Sequence, residues 1–413
     1  MQPLITNDAV VLGILLSILA IIFATSHSER PFWQKFYTFI PSVLLCYFIP
    51  SLFNSAGIIS GQHSNLYFVA SRYLLPTSLV LLTISVDIKA ILRLGPKAII
   101  MFLTATTGII IGGPIAILVV SAFAPDIVGG HGPDAVWRGL TTIAGSWIGG
   151  GVNQTAMREV FEVSDELFSQ VLPVDIMVGY LWMGVLLYGA GISTRIDRWL
   201  KADASVIEEL RKKVEDYRAS IAHVPTLREL TIIMALGFGL TGISHFFADI
   251  IAPWFQDNAP QLEKYSLTSN FFWIIIIATT AGLITSFTKA RKMEGAGAST
   301  IGTLFLYVLV ATIGMEMDLT AILQNPGLFF VGIIWILVHI ILLLIVAKLI
   351  KAPFFFVAVG SQANIGGTAS APIVASAFHP ALAPVGVLLS VLGYILGTYG
   401  AWLCGILMRA VAP

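Results

Sequence analysis

Charge is what this sequence has least of. Only 11% of its 413 residues are Asp, Glu, Lys or Arg, where an ordinary soluble domain carries roughly a quarter. The 23 basic residues balance 23 acidic ones, and outside one loop there is no basic stripe, so no nucleic-acid partner is expected. Cysteine is almost missing. The two present, Cys46 and Cys404, fall inside apolar stretches with no CxxC pair or Cys/His cluster nearby, which excludes a disulfide framework and a zinc site. The GxxxxGK[ST], HExxH and GxSxG patterns are also absent. Neither ATP-driven transport by this chain nor familiar hydrolase chemistry is supported, and the chain is not expected to be an enzyme. The segment Met1–Asp8 has no basic n-region and no small-residue cleavage site, so the first apolar run reads as a retained span rather than a signal peptide.

What is present is apolar length. Hydrophobic residues make up 57% of the chain and its mean hydropathy is +0.88. Apolar runs long enough for spanning helices recur near 8–25, 37–54, 66–86, 97–123, 137–160, 169–191, 229–250, 270–287, 299–315, 327–350, 354–377 and 382–408, the fifth and eleventh being interrupted. Stretches such as Ile274–Ile277 and Ile340–Ile345 are continuously apolar and lack the alternation of barrel strands. The expected class is an all-α polytopic protein of the bacterial cytoplasmic membrane, with the lipid bilayer as its main partner.

One polar interruption, 193–228, divides the chain into transmembrane halves 1–192 and 229–413. It carries eight basic residues, among them Arg195, Arg198, Lys201 and Arg228, and is expected in the cytoplasm. Within it Leu200, Ile207, Leu210, Val214 and Tyr217 recur at helical spacing opposite Glu208, Glu209, Lys212, Glu215 and Asp216. That pattern predicts an amphipathic helix, resting on the membrane surface or joining two copies into a homodimer.

The halves echo each other. The segments Gly145–Met157 (GSWIGGGVNQTAM) and Gly360–Pro372 (GSQANIGGTASAP) align without a gap at an offset of 215 residues, pairing Gly145 with Gly360, Ser146 with Ser361, Gly151 with Gly366 and Ala156 with Ala371. Val178–Tyr180 is echoed by Leu392–Tyr394, and Asp87–Leu92 by Asp318–Leu323. Duplication is therefore expected. Six spans per half would leave the copies parallel and place Lys89, Arg93 and Lys97 on the side opposite the linker. The positive-inside rule favours an inverted pair, which would put that loop inside and means that one crossing in this count is wrong.

A glycine cluster among side-chain amides builds a poor membrane helix, because it loosens the backbone and puts polar groups where hydrocarbon cannot hydrate them. Gly149, Gly150 and Gly151 in the first half, and Gly366 and Gly367 in the second, are the expected helix breaks. A broken span presents free N–H groups and carbonyls at mid-membrane, the usual setting of a transporter's binding site. Asn153, Asn364 and Asp175 are candidate ligands for an ion or proton, and Gln154, Thr155, Gln362, Thr368 and Ser370 for a substrate. A sodium ion is the one candidate cofactor, since a hard cation takes oxygen ligands. Close helix packing with interhelical hydrogen bonds is the alternative.

Asp175 stands inside an apolar run just after the first break, and an ionisable group there is a functional candidate by default. It could bind sodium or exchange protons, or sit satisfied by its neighbours; the matching position holds Leu389. Asp249, Glu316 and Asp318 lie at span ends and read as solvated or capping residues, while Asp87 and Asp318 share a repeat position that fixes a turn. His245 and His339 read as hydrogen-bonded packing residues, and Arg72 and Lys289 as snorkelling cations. Trp147 and Trp182 flank a substrate or are plain packing.

At these residues the chain resembles the YjcL-like family of uncharacterised bacterial and plastid membrane proteins over most of its length, the two glycine segments being the most specific part. That family resembles, distantly, the cation/proton antiporters and bile-acid/sodium symporters. The resemblance implies an inverted-repeat fold with two broken helices crossing at mid-membrane, and a core domain around 137–160 and 354–377 moving against a panel in an elevator-like cycle. It also implies an ion-binding role for Asp175, which occupies the place of the antiporters' aspartate. Val174 precedes it where the antiporters carry a second Asp or an Asn, which counts against cation/proton exchange. In the symporter branch Asn153, Gln154, Gln362 and Asn364 would surround sodium. The function expected is sodium- or proton-coupled secondary transport of a small organic solute. The alternatives are a monovalent cation/proton antiporter, a non-transporting receptor or scaffold, and an intramembrane enzyme.

Overall fold

The computed structural model describes residues 3–40, 42–202, 207, 225–317, 325–379 and 382–413. Asp318 and most of the linker's amphipathic segment lie outside them. The protein is an all-α polytopic membrane protein, with no strand among the described residues. Leaving short helical turns aside, the elements are α1 (Asp8–Ser26), α2 (Pro31–Phe39), α3 (Ser42–Ser55), α4 (Leu66–Ile84), α5 (Pro96–Ser121), α6 (Val136–Val160), α7 (Asp165–Gly191), α8 (Ser193–Leu200), α9 (Leu227–Asn258), α10 (Asn270–Ser286), α11 (Ala298–Glu316), α12 (Leu328–Ile350), α13 (Phe354–Ile365), α14 (Gly367–Phe378) and α15 (Ala383–Val411). Eight of them, α1, α4, α5, α7, α9, α11, α12 and α15, are each long and apolar enough to cross a membrane. Their sequences show why: they are largely apolar, with few charges, of which Arg72 in α4, Asp175 in α7 and Asp249 in α9 lie away from the helix ends. Thr226 and Glu229 start α9 with reciprocal side-chain to backbone bonds, a capping box.

The helices pack as two groups. In one, α15 lies along α6 and α14, α5 lies between α12 and α13, and α7 bridges α6 and α12. In the other, α4 is surrounded by α9, α10 and α11, with α3 and α1 flanking α11.

The two interrupted helices differ from the crossing spans implied by the resemblance. Gly150 has φ 73° and ψ −173°, and there the chain of α6 turns back on itself. Arg138 donates to the carbonyl of Phe161, 23 residues further on, where a continuous helix would hold them about 35 Å apart. Trp137 meets the Phe161 ring edge-on at 5.8 Å. The pair α13 and α14 folds back in the same way about Gly366 and Gly367, bringing the Phe378 ring within 5.3 Å of Phe355 and 6.1 Å of Phe354. Each broken helix is a re-entrant hairpin, with both ends on one side.

The hairpins enter from opposite ends of the bundle. Helix α7 begins at the mouth of the first, where Asp165 pairs with Arg158, and ends at the mouth of the second, where Gly189 abuts the Phe354 ring. Its 27 residues span about 40 Å. This also corrects the crossing count. Because α6 does not cross, the start of α5 returns to the linker end: Lys97 Nζ donates to Lys351 O at 2.9 Å, and Lys348 donates to Trp199 O beside the linker. Lys97, Lys348 and Lys351 share that end.

Candidate functional site

The turn of each hairpin needs glycine for a different reason at each position. Gly150 and Gly367 have positive φ with open space around them. Gly149 instead permits contact, since a Cβ there would run into the Asn153 amide and the Gly393 carbonyl. In the second hairpin a Cβ on Gly366 would displace the Ser370 hydroxyl and the Gln362 amide. The turns therefore bring polar side chains from both arms to the tip.

The two tips meet at one cavity of about 160 Å³, which both Gly150–Gly151 and Gly366–Gly367 line. Asp175 and Tyr180 of α7 form one wall, and Leu306, Tyr307 and Val310 of α11 form another. The cavity thus lies between the two helix groups, closed by the hairpins on one side and by a mainly apolar face of α11 on the other. Asp175 is 6% exposed and Gln362 2%. Gln154 Nε2 donates to Asp175 Oδ2 at 2.7 Å, and Gln154 Oε1 accepts from the Tyr47 hydroxyl at 3.3 Å. Across the second tip Gln362 Nε2 donates to Ser370 Oγ at 2.7 Å, while Gln362 Oε1 is buried without a hydrogen-bond partner. Thr368 Oγ1 and the Tyr394 hydroxyl are 3.0 Å apart. The arrangement offers a carboxylate, with amide and hydroxyl side chains beside it, to a ligand that donates hydrogen bonds or carries positive charge.

Of the side chains singled out from sequence, Asp175, Gln154, Gln362, Thr368 and Ser370 line this cavity, and Asn153, Asn364 and Thr155 do not. Asn153 donates to Gly149 O at 3.2 Å and to Tyr394 O at 3.1 Å, and accepts from Thr398 Oγ1 at 2.7 Å. Asn364 has matching bonds, to Gly360 O at 2.9 Å and Phe102 O at 3.2 Å, accepting from Thr106 Oγ1 at 2.8 Å. Each asparagine ties a hairpin to the long helix beside it, α15 or α5. Thr155 bonds to Gly151 O within its own helix.

His339 is a buried packing residue: Nδ1 bonds to Ala105 O and Nε2 pairs with Ser361 Oγ, which also accepts from Trp182 Nε1. His245 pairs with Arg72 O. Sequence reasoning missed Tyr47 and Tyr307, which reach the cavity from the other helix group; single tyrosines in apolar spans carry no local signal. Among the described residues no cluster of three or more His, Cys, Asp or Glu could hold a metal ion.

A family model described as "Protein of unknown function (DUF819)" matches residues 13–411. The uncharacterised membrane protein YjcL of Bacillus subtilis (strain 168) is 23% identical over 359 residues, 84% of this chain and 85% of that protein.

Proposed function

Since the chain belongs to the DUF819 family of membrane proteins, whose name assigns no activity, we propose from the site itself that it is an ion-coupled secondary transporter of a small solute. The observation that carries this reading is the convergence of two hairpin tips, entering from opposite ends, on one cavity whose only carboxylate among the described lining residues is Asp175. A buried site at mid-depth, made from interrupted helices and placed between two packed groups, is the arrangement alternating access requires. Asp175 is the ion or proton site, and Gln154, Gln362, Thr368 and Ser370 contact ion or solute. Asn153 and Asn364 keep the hairpins in place. The group carrying the hairpins moves against the α4–α11 group, and a bound cation or proton offsets the charge of Asp175 so that it can pass the apolar face of α11. The opposed hairpins fit an inverted duplication of the two halves. With one carboxylate and no paired catalytic groups among the described residues that line the cavity, transport is preferred to intramembrane catalysis.

The test is the melting temperature of the purified full-length protein in sodium against potassium at fixed ionic strength and several pH values, for wild type and Asp175→Asn. A ligand that binds only the folded state raises it by mass action. A sodium- or proton-dependent rise that disappears in Asp175→Asn supports the reading. Equal responses in both proteins remove Asp175 from the site.

A further inference from the structure

We infer that the solute taken at this cavity is a small organic ammonium ion; the inference rests on the transporter reading and deepens it. Charge decides the sign of the ligand. Asp175 lines the cavity, and no Lys, Arg or His does among the described residues. An anionic solute would have to share the site with the cation or proton that neutralises Asp175, whereas a cationic solute offsets that charge itself. The polar lining agrees with that sign: Gln362, whose Oε1 is buried without a partner, is among the lining residues, and a donor group on the ligand would satisfy such an atom.

The remaining walls favour an organic cation. Tyr47, Tyr180, Tyr307 and Tyr394 all line the cavity, and they come from both helix groups and both halves of the chain. Phenol rings around a carboxylate suit a cation that keeps an apolar coat, because the negative ring faces attract the charge while the carbons pack against it. The lining also holds hydroxyl and amide oxygens, Ser146, Thr303, Thr368 and Ser370 among them, so sodium and potassium are the competing ligands. Size sets the limit: a cavity of about 160 Å³ has room for roughly five waters, hence for an ammonium bearing a few methyl groups.

The experiment uses the full-length protein in detergent and measures melting temperature against concentration for ammonium, methylammonium, tetramethylammonium and tetrabutylammonium chlorides, beside sodium and potassium chlorides. The expected result is stabilisation that peaks at methylammonium or tetramethylammonium and is absent for tetrabutylammonium. Asp175→Asn should weaken apparent affinity at least about tenfold, as loss of a charge-assisted contact does. Tyr307→Leu should weaken it about threefold to tenfold, with Tyr307→Phe close to wild type, because the ring face and not the hydroxyl holds the cation. Stabilisation by sodium or protons through Asp175, with no organic ammonium active, overturns the solute class and leaves the transporter reading standing. No Asp175-dependent response to any of these cations sinks both. An ammonium effect that is unchanged in Asp175→Asn is a general salt effect and also overturns the inference.

Discussion

Gln154 of the first hairpin donates its amide to Asp175 Oδ2 across 2.7 Å. The same side chain accepts from Tyr47 at 3.3 Å, so a short chain of polar groups joins α3 of one helix group to α7 of the other. A ligand that engages Asp175 competes for, or reinforces, a contact that the opposite group shares. In Gln154→Leu the Tyr47 hydroxyl loses its acceptor and Asp175 loses one of its donors, at about 1–3 kcal/mol for a buried group left unpaired. The variant should melt lower than wild type without ligand and regain part of the difference in a cation that binds Asp175. A melting curve identical to wild type under both conditions would show that the chain joins nothing.

The hairpin turns make a sharper prediction, because strain and crowding are separated along one short stretch. Gly150 holds φ 73° and ψ −173° with no atom near an added Cβ, a backbone region essentially confined to glycine. Gly150→Ala should therefore cost about 1–3 kcal/mol from the backbone alone. Gly149→Ala should also destabilise, by pushing the Asn153 amide off its bonds to the Gly149 and Tyr394 carbonyls. At Gly367, with φ 56°, Asn is tolerated in the left-handed region better than a branched residue, so Gly367→Asn should retain more stability than Gly367→Val. Denaturation in detergent ranks the four variants; the reverse order for the Gly367 pair would mean the turn can relax.

These contrasts show what the sequence could convey. The breaks were legible because Gly149–Gly151 and Gly366–Gly367 interrupt apolar runs, and Asp175 because a carboxylate inside a span has few bland explanations. The fold-back was not, since a glycine break reads the same whether the second arm continues across the membrane or returns. A signal existed all the same: Arg138 and Arg158 bracket the first break, which leaves each arm about half the apolar length a crossing needs. The asparagines looked like ligands because sequence shows a polar atom but not its partners, and their partners, Tyr394 O and Phe102 O, are carbonyls of helices remote in the chain.

At the linker end, Asp197 of α8 accepts from the Phe354 N–H at 2.7 Å and so caps the second hairpin from outside it. Partial burial pushes its carboxyl above the ordinary range, with the Phe354 hydrogen bond opposing that rise. A raised pKa in the folded state means that folding holds the proton more tightly. The stabilisation is complete below the unfolded chain's carboxylate pKa and is lost as pH rises through the raised one. Asp197→Asn keeps an acceptor for Phe354 without the ionisation, so near neutral pH it should melt at or above wild type, the difference vanishing in acid. Asp197→Ala loses the cap at every pH, at about 1 kcal/mol. Melting curves for the three proteins from acid to neutral pH decide it, and a difference between Asp197→Asn and wild type that widens in acid would reverse the sign assigned to this group.

The mouth of the first hairpin holds the two helix groups together by charge. Arg158 of α6, 4% exposed, pairs with Glu316 of α11 at 3.2 Å as well as with Asp165, and Glu159 of α6 pairs with Arg72 of α4 at 3.2 Å. The Arg158 guanidinium also lies over the Tyr67 and Phe168 rings, at 4.8 and 5.0 Å. Removing one partner of a buried pair leaves a charge without compensation, and Glu316 is only 16% exposed. Arg158→Met should therefore cost about 3–5 kcal/mol, and Arg158→Met with Glu316→Leu less than the first change alone. The double-mutant cycle measures their coupling directly. If the groups slide past each other during transport, this contact must open, so Glu316→Gln should also change the apparent affinity for whichever cation stabilises wild type, although Glu316 lies outside the cavity lining. Additive stabilities together with an unchanged affinity would place the hold between the groups elsewhere along α11.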